Sequence, residues 1–206
     1  MTEIQKEIIE KLFLMHPDAG CELTFKTPFE LLVAVILSAQ CTDKRVNIVT
    51  EKLFKEYNTP EKIAGMPPAL LEKYIYSCGF YANKSKNIID SAKVIVKDYN
   101  GVVPDDFDAL QSLAGVGRKT ASVVTCVAFN KPAMPVDTHV YRVSHRLGLS
   151  SAKTPDGVEK DLKAVYPPEM WNNLHHAMIF HGRYICKSQN PDCDKCLLTD
   201  LCKREA

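Results

Sequence analysis

The chain reads as a succession of helical patterns, each opened by a capping residue and carried by apolar positions three and four apart. At the start, "TEIQ" has capping-box form, with Thr2 as cap and Gln5 three residues on, and Ile4, Ile8 and Leu12 then share one face. "TPFE" repeats the signature: Thr27 caps, Pro28 takes the first helical position and Glu30 closes the box. The run behind it, "LLVAVILSA" from Leu31 to Ala39, is apolar on every side, which predicts a central buried helix. Val46, Val49, Leu53 and Tyr57 predict the next helix, and "PPALLEKYIYS" a further one that ends at Gly79.

The second half continues in the same way. Asn83 is the expected cap of a helix carrying Ile88, Ala92, Ile95, Val96 and Tyr99, closed by Gly101. Pro104 and Asp105 are expected to open a short helix through Leu113. After the turn "GVG", Ala121, Val124, Val127 and Ala128 form another apolar face. Asp137 precedes Val140, Val143 and Leu147, with Gly148 ending that helix; Thr154-Pro155 starts one with Val158, Leu162 and Val165. Trp171, Leu174, Met178 and Ile179 mark the last before a group of cysteines. No alternating, strand-like pattern competes with these, so the expected fold class is all-α.

Composition changes this picture little. The 206 residues are 46% hydrophobic and 25% charged, ordinary for a globular chain. The formal net charge is +1, so a polyanion would have to be held by a local patch or by backbone amides. The N-terminus lacks the basic start and cleavage site of a signal peptide, and no apolar run reaches the roughly 18–20 residues of a membrane span. The expected location is therefore the cytoplasm, without membrane attachment. In a reducing compartment the eight cysteines are a poor disulfide framework, and clustered ones suggest metal.

The break between two helices at Gly115-Val116-Gly117 is the first chemical signal. Glycines one residue apart allow positive φ and close approach of another backbone. With the N–H groups at the head of the following helix, they form a candidate phosphate site that reads no sequence. An ordinary interhelical turn would look the same. Arg118 and Lys119 open the following helix, where the partial positive charge disfavours an ammonium and a nearby carboxylate would restore it. An uncharged amine there is a nucleophile; a charged one is merely solvated. Asp137, eighteen residues on, reads by itself as an N-cap.

"LAGVGRKTASVV" followed by "PVDTHVYRVSHRLGL" resembles the helix-hairpin-helix DNA glycosylase superfamily, most closely its endonuclease III branch. "PFELLVAVILSAQCTDKRVN", "GFYANKSKNI" and the terminal cysteines extend the resemblance over nearly the whole chain. It implies a helical-barrel domain with the hairpin in residues 21–131, and a cluster domain made of residues 1–20 and 132–206. DNA would lie where Lys119 and Asp137 meet. The implied activity is a bifunctional glycosylase and abasic-site lyase of base excision repair, acting as a monomer on duplex DNA with a damaged pyrimidine or an abasic site. Lys119 corresponds to the family's nucleophile and Asp137 to the aspartate required for glycosidic cleavage. The alternatives are a monofunctional mismatch glycosylase, whose branch uses water and generally lacks the lysine, and a non-catalytic DNA-binding module stabilised by metal.

A stacked base cannot be excised, so the target must leave the duplex and its place be filled. The resemblance puts Gln40 and Phe80 in the two gap-filling loops, an amide for the orphaned base and an apolar wedge for the kink. Arg118, His139 and the backbone of Gly115, Val116 and Gly117 complete the expected DNA contacts. The family commonly has leucine at the Phe80 position, alanine at Cys41 and proline at Ala114. By sequence alone Phe80 also fits a core aromatic, and Gln40 a polar residue ending a helix.

Cys186, Cys193, Cys196 and Cys202 form C-x6-C-x2-C-x5-C within seventeen residues. Four thiolates so close suit zinc or an iron–sulfur cubane, and spacing alone does not choose. The pattern matches that of endonuclease III relatives, which implies a structural [4Fe–4S] cluster, with Zn2+ as the alternative. Lys187, Lys195, Lys203 and Arg204 would then face phosphate. Cys21, Cys41, Cys78 and Cys126 are scattered and read as small packing residues. His175 and His176 diverge by about 100° on a helix, so with His181 they are expected to pack rather than bind metal.

Overall fold

The computed structural model describes residues 1–203, and all regular structure among them is helical. The chain divides into two compact units, residues 21–131 and residues 1–20 with 132–206.

In the first unit the caps decide where each helix begins. α2 (Pro28–Ser38) starts at Thr27, whose hydroxyl accepts the Glu30 N–H at 3.2 Å. The Glu30 carboxylate does not return to the cap amide as expected; it accepts the Lys26 N–H at 2.5 Å, one residue further back. From Phe29 to Leu37 every residue of α2 is buried, and this helix is the axis of the unit's core. Each fully buried aliphatic side chain there contributes roughly 1.5–3 kcal/mol, which explains why a helix apolar all round is stable only at the centre. α3 (Asp43–Leu53) is capped by Thr42 and stops before Tyr57, which instead sets its ring edge-on to Tyr74 at 5.9 Å.

A helix that the hydrophobic pattern did not reveal, α4 (Pro60–Ala64), begins at Thr59 and is too short to show periodicity. α5 (Pro68–Ile75) runs into a 3₁₀ turn, Tyr76–Cys78, and Gly79 leaves it at φ 67°. α6 (Tyr81–Asp98) then starts at once, with Phe80 rather than Asn83 in the cap position. The correction has a local cause: two successive positive-φ residues, Gly79 and Phe80, reverse the chain directly into the helix. At its other end Asn100 and Gly101 both have positive φ, 51° and 79°, and the Gly101 N–H returns to the Ile95 carbonyl at 3.0 Å.

α7 (Phe107–Ser112) is capped by Asp106, whose carboxylate accepts the Ala109 N–H at 2.9 Å. Asp105, the expected opener, instead pairs with Lys131 at 2.6 Å. α8 (Arg118–Phe129) packs on α2 and α7 and ends at the left-handed Asn130.

In the second unit α1 (Glu3–Met15) has both halves of its capping box, Gln5 N–H to Thr2 at 3.2 Å and Thr2 N–H to Gln5 at 2.8 Å. Its buried face is Ile8, Ile9 and Leu12, packed against α11 (Pro168–Phe180), while Ile4, expected on that face, is exposed. α9 (Thr138–Arg146) and α10 (Pro155–Val165) complete the core with Val140, Val143, Val158, Leu162 and Tyr166. A π turn, His181–Ile185, follows α11 and delivers the chain to the cysteine segment. No helix among the described residues is long and apolar enough to cross a membrane.

Candidate active site

The hairpin between α7 and α8 is held by small, specific contacts. Leu113 and Val116 are buried anchors, the Val116 N–H returns to the Leu113 carbonyl at 3.1 Å, and Ser91 on α6 donates to the Ala114 carbonyl at 2.7 Å. Val116 can therefore offer a ligand its backbone but not its side chain.

The two glycines answer to different demands. Gly115 has φ 75°, and a Cβ there would stand 2.8 Å from the Asn87 side chain. Gly117 has φ −81° and open space where a Cβ would project. Neither backbone angle nor internal crowding requires glycine at Gly117, an N-cap whose outer side is open to approach. Gly115→Ala should destabilise the fold by about 1–3 kcal/mol in a denaturant titration, through strain and clash. Gly117→Ala should leave stability within about 0.5 kcal/mol but weaken duplex binding by about tenfold, the scale of one charge-assisted hydrogen bond.

At the head of α8, Gly117 makes no side-chain cap and the first turn holds no acidic residue. This is the local signature of a helix mouth available to an anion. Lys119 is exposed on that first turn. Arg118 beside it lies over the Phe107 ring at 5.5 Å, so its charge is held against the hairpin.

Gln40 and Phe80 share an unusual conformation. Both are exposed and both are left-handed, at φ 55° and 46°. For a residue with a side chain this costs on the order of 1–2 kcal/mol. Phe80 is 66% exposed, so it is not the core aromatic that its hydrophobicity also allowed.

Asp137 caps α9 through one oxygen. Oδ1 accepts the N–H groups of His139 and Val140, both at 2.8 Å, and Oδ2 makes no hydrogen bond among the described residues. His139 is turned inward: its Nδ1 meets Arg142 at 3.2 Å, and its Cβ lies 2.8 Å from where a Cβ on Gly182 would be. Burial pushes this imidazole below its usual pKa.

Two arginines absent from the sequence-level site organise the cysteine segment. Arg142 donates to the carbonyls of Cys186 at 3.0 Å and Gly182 at 2.7 Å. One turn on, Arg146 reaches Cys186 Sγ at 3.2 Å and the Lys187 carbonyl at 2.7 Å. Cys196 Sγ accepts the Leu198 N–H at 3.4 Å and lies 3.7 Å from His181. Burial, and after it the neighbouring His16, pushes His181 down to about 4. His175 is 2% exposed, and His176 is half-buried, its imidazole pushed below its usual pKa by burial.

The thiols of Cys186, Cys193 and Cys202 each raise the pKa of Cys196, after the larger effect of burial. Four cysteine sulfurs in one short segment, one of them against the Arg146 guanidinium, are by type a donor set suited to a thiolate-bound metal group. As they stand, no three or more His, Cys, Asp or Glu side chains among the described residues are grouped closely enough to hold a metal ion. Of the lysines expected at phosphate, Lys187 is paired with Asp192 at 3.1 Å and Lys203 lies over Gly148; Arg204 is outside the described residues. Elsewhere, Cys126 is pushed up to about 12 by burial and Cys78 to about 11, as packing thiols are.

Residues 33–168 match the HhH-GPD superfamily base excision DNA repair protein family. The endonuclease III of Bacillus subtilis is 52% identical over 95% of this chain and 90% of its own length. That of Rickettsia conorii is 47% identical over 97% of each. A solved structure of a trapped endonuclease III–DNA covalent intermediate, an estranged-adenine complex, superposes with a TM-score of 0.93 at 49% identity, covering 98% of this chain and 97% of that one. The chain belongs to the endonuclease III family within that superfamily.

Proposed function

We propose that this chain, a base excision repair DNA glycosylase with AP lyase activity, removes oxidised or ring-damaged pyrimidines by way of Lys119 and Asp137. Its partner is DNA. The observation that carries the reading is Lys119 itself, a lone amine exposed on the uncapped first turn of α8, directly behind the glycine hairpin.

In the proposed reaction the Lys119 amine attacks C1′ of an extruded nucleotide, and the base leaves with the electron pair of the glycosidic bond. Positive charge develops at the sugar, and the Asp137 carboxylate stabilises it and manages the protons. Ring opening yields a Schiff base at C1′. This acidifies the C2′ proton; its loss expels the 3′ phosphate by β-elimination, and water then releases the lysine. The backbone amides around Gly115 and Gly117 hold a phosphate and so bring the strand to the helix mouth. Gln40 and Phe80 fill the vacated place, and His139, expected at the DNA, holds Asp137 Oδ1 through its backbone N–H.

In this reading residues 21–131 serve as the helical-barrel domain and the other unit as the cluster domain. The enzyme works as a monomer in the cytoplasm, where it meets chromosomal DNA. A set of duplexes, each with one defined lesion and treated with borohydride during incubation, tests the substrate class. Covalent adducts on oxidised-pyrimidine duplexes are expected; adducts on none of them would refute it, as would release of adenine from a mismatch without any adduct.

Cys186, Cys193, Cys196 and Cys202 would hold a [4Fe–4S] cluster, whose metal–thiolate bonds cross-link the segment when it is bound. Its place is structural, since base excision requires no electron transfer. Purified enzyme should contain about four iron and four sulfide per chain. Cys196→Ser should lose both and destabilise the chain by roughly several kcal/mol in thermal unfolding, as metal binding and folding are coupled. One equivalent of zinc without iron would overturn the assignment.

A further inference from the structure

The loops of Gln40 and Phe80 come from different parts of the chain and meet on one side chain. Lys84, in the first turn of α6, is 5% exposed. Its Nζ donates to the carbonyls of Leu37 at 2.8 Å, Ala39 at 2.7 Å and Cys78 at 2.8 Å. An ammonium has three protons, and here each has a carbonyl acceptor within the protein. A buried charge is tolerable only when satisfied in this way, so the side chain has little freedom to leave.

The positions of those carbonyls matter. Leu37 and Ala39 end α2, whose last turn contains no basic residue of its own, so Lys84 supplies the cation that the negative end of the helix favours. The Ala39 carbonyl belongs to the peptide bond that enters Gln40. The Cys78 carbonyl belongs to the one that enters Gly79, immediately before Phe80. Downstream, the Lys84 N–H donates to the Phe80 carbonyl at 3.0 Å. One residue thus holds both sides of the Phe80 turn and the entrance to the Gln40 turn. Left-handed residues with side chains persist only where their surroundings over-determine them, and this is such a surrounding.

We propose that Lys84 is a positioning residue for base extrusion: its buried ammonium clamps the carbonyls of Leu37, Ala39 and Cys78, fixing Gln40 and Phe80 at the separation that fills the gap in the duplex. The proposal rests on the gap-filling reading of those two residues. Lys84 touches neither substrate nor reacting atoms; it acts through the two turns.

The test uses Lys84→Met, similar in length without donors, and Lys84→Arg, which keeps donors. With 4-fluorophenylalanine at position 80, the ¹⁹F resonance should be single and narrow in the parent, split or broadened in Lys84→Met, and largely restored in Lys84→Arg. Excision from a damaged duplex should fall by about 10- to 100-fold in Lys84→Met, the scale of a small misplacement, while cleavage of an abasic site in single-stranded DNA stays within about twofold. An unchanged ¹⁹F spectrum, or an equal fall on both substrates, overturns the clamp.

A background of Gln40→Ala with Phe80→Ala separates the clamp from its premise. There Lys84→Met should add no further loss on duplex, and a full additional loss overturns the proposal. If that background itself excises from duplex at the parental rate, the gap-filling reading fails, whatever the ¹⁹F spectrum says of the clamp.

Discussion

Lys119→Gln is expected to abolish the borohydride-trapped DNA adduct and to lower abasic-site cleavage by about 10³-fold or more, the scale of losing a covalent nucleophile. Glutamine keeps most of the length and polarity of the side chain but has no basic nitrogen. The position is exposed in the first turn of α8, so folding should change by less than about 0.5 kcal/mol. Removing an ammonium from the positive end of a helix is if anything favourable to it. Loss of activity in a variant of parental stability therefore reports on chemistry. The decisive measurement is single-turnover trapping at matched DNA occupancy; an adduct that survives the substitution would place the nucleophile elsewhere.

Asp137→Asn is the second large effect, and the cap geometry makes it a clean experiment. Oδ1 alone accepts both amide hydrogens at the start of α9, and an asparagine carbonyl oxygen can replace it there. Asparagine and aspartate are comparable caps, so stability should change by a few tenths of a kcal/mol, whereas Asp137→Ala should cost about 1 kcal/mol. What asparagine cannot supply is negative charge or a proton acceptor at Oδ2. Base release from damaged duplex should fall by about 10²–10⁴-fold in Asp137→Asn. Cleavage of a preformed abasic site should fall less, because the glycosidic bond is already broken. If both substitutions reduced activity only in proportion to unfolding, Asp137 would be a cap and nothing more.

What the sequence made legible is what is local in it. Helices with caps and apolar stripes were readable because their determinants lie within a few residues, as at Thr2, Thr27 and Thr154. Boundaries failed where the deciding feature was a backbone angle or a competing partner. Phe80 displaced Asn83 as the start of α6 through left-handed φ, and Asp106 displaced Asp105, which Lys131 engages from 26 residues away. The hairpin and the Asp137 cap were visible for the same local reason, and the roles expected of Lys119 and Asp137 came from the resemblance, while Arg142 and Arg146 grip carbonyls some forty residues on, a relation that no spacing rule anticipates. Lys84 left a signal in plain view. It falls in register with Ile88, Ala92 and Ile95, so a lysine stands on the apolar stripe of an amphipathic helix, where only a satisfied ammonium could be accommodated.

The left-handed turns at Gln40 and Phe80 bear on how such a protein can search. A probe that had to become ordered at each encounter would repeat that entropic cost at every sound base pair it tested. Here the unfavourable backbone angles are held by contacts within the protein itself, the Lys84 carbonyl contacts among them, so the cost is met once, when the chain folds. The strain is a fixed overhead of the molecule and not a toll on each inspection.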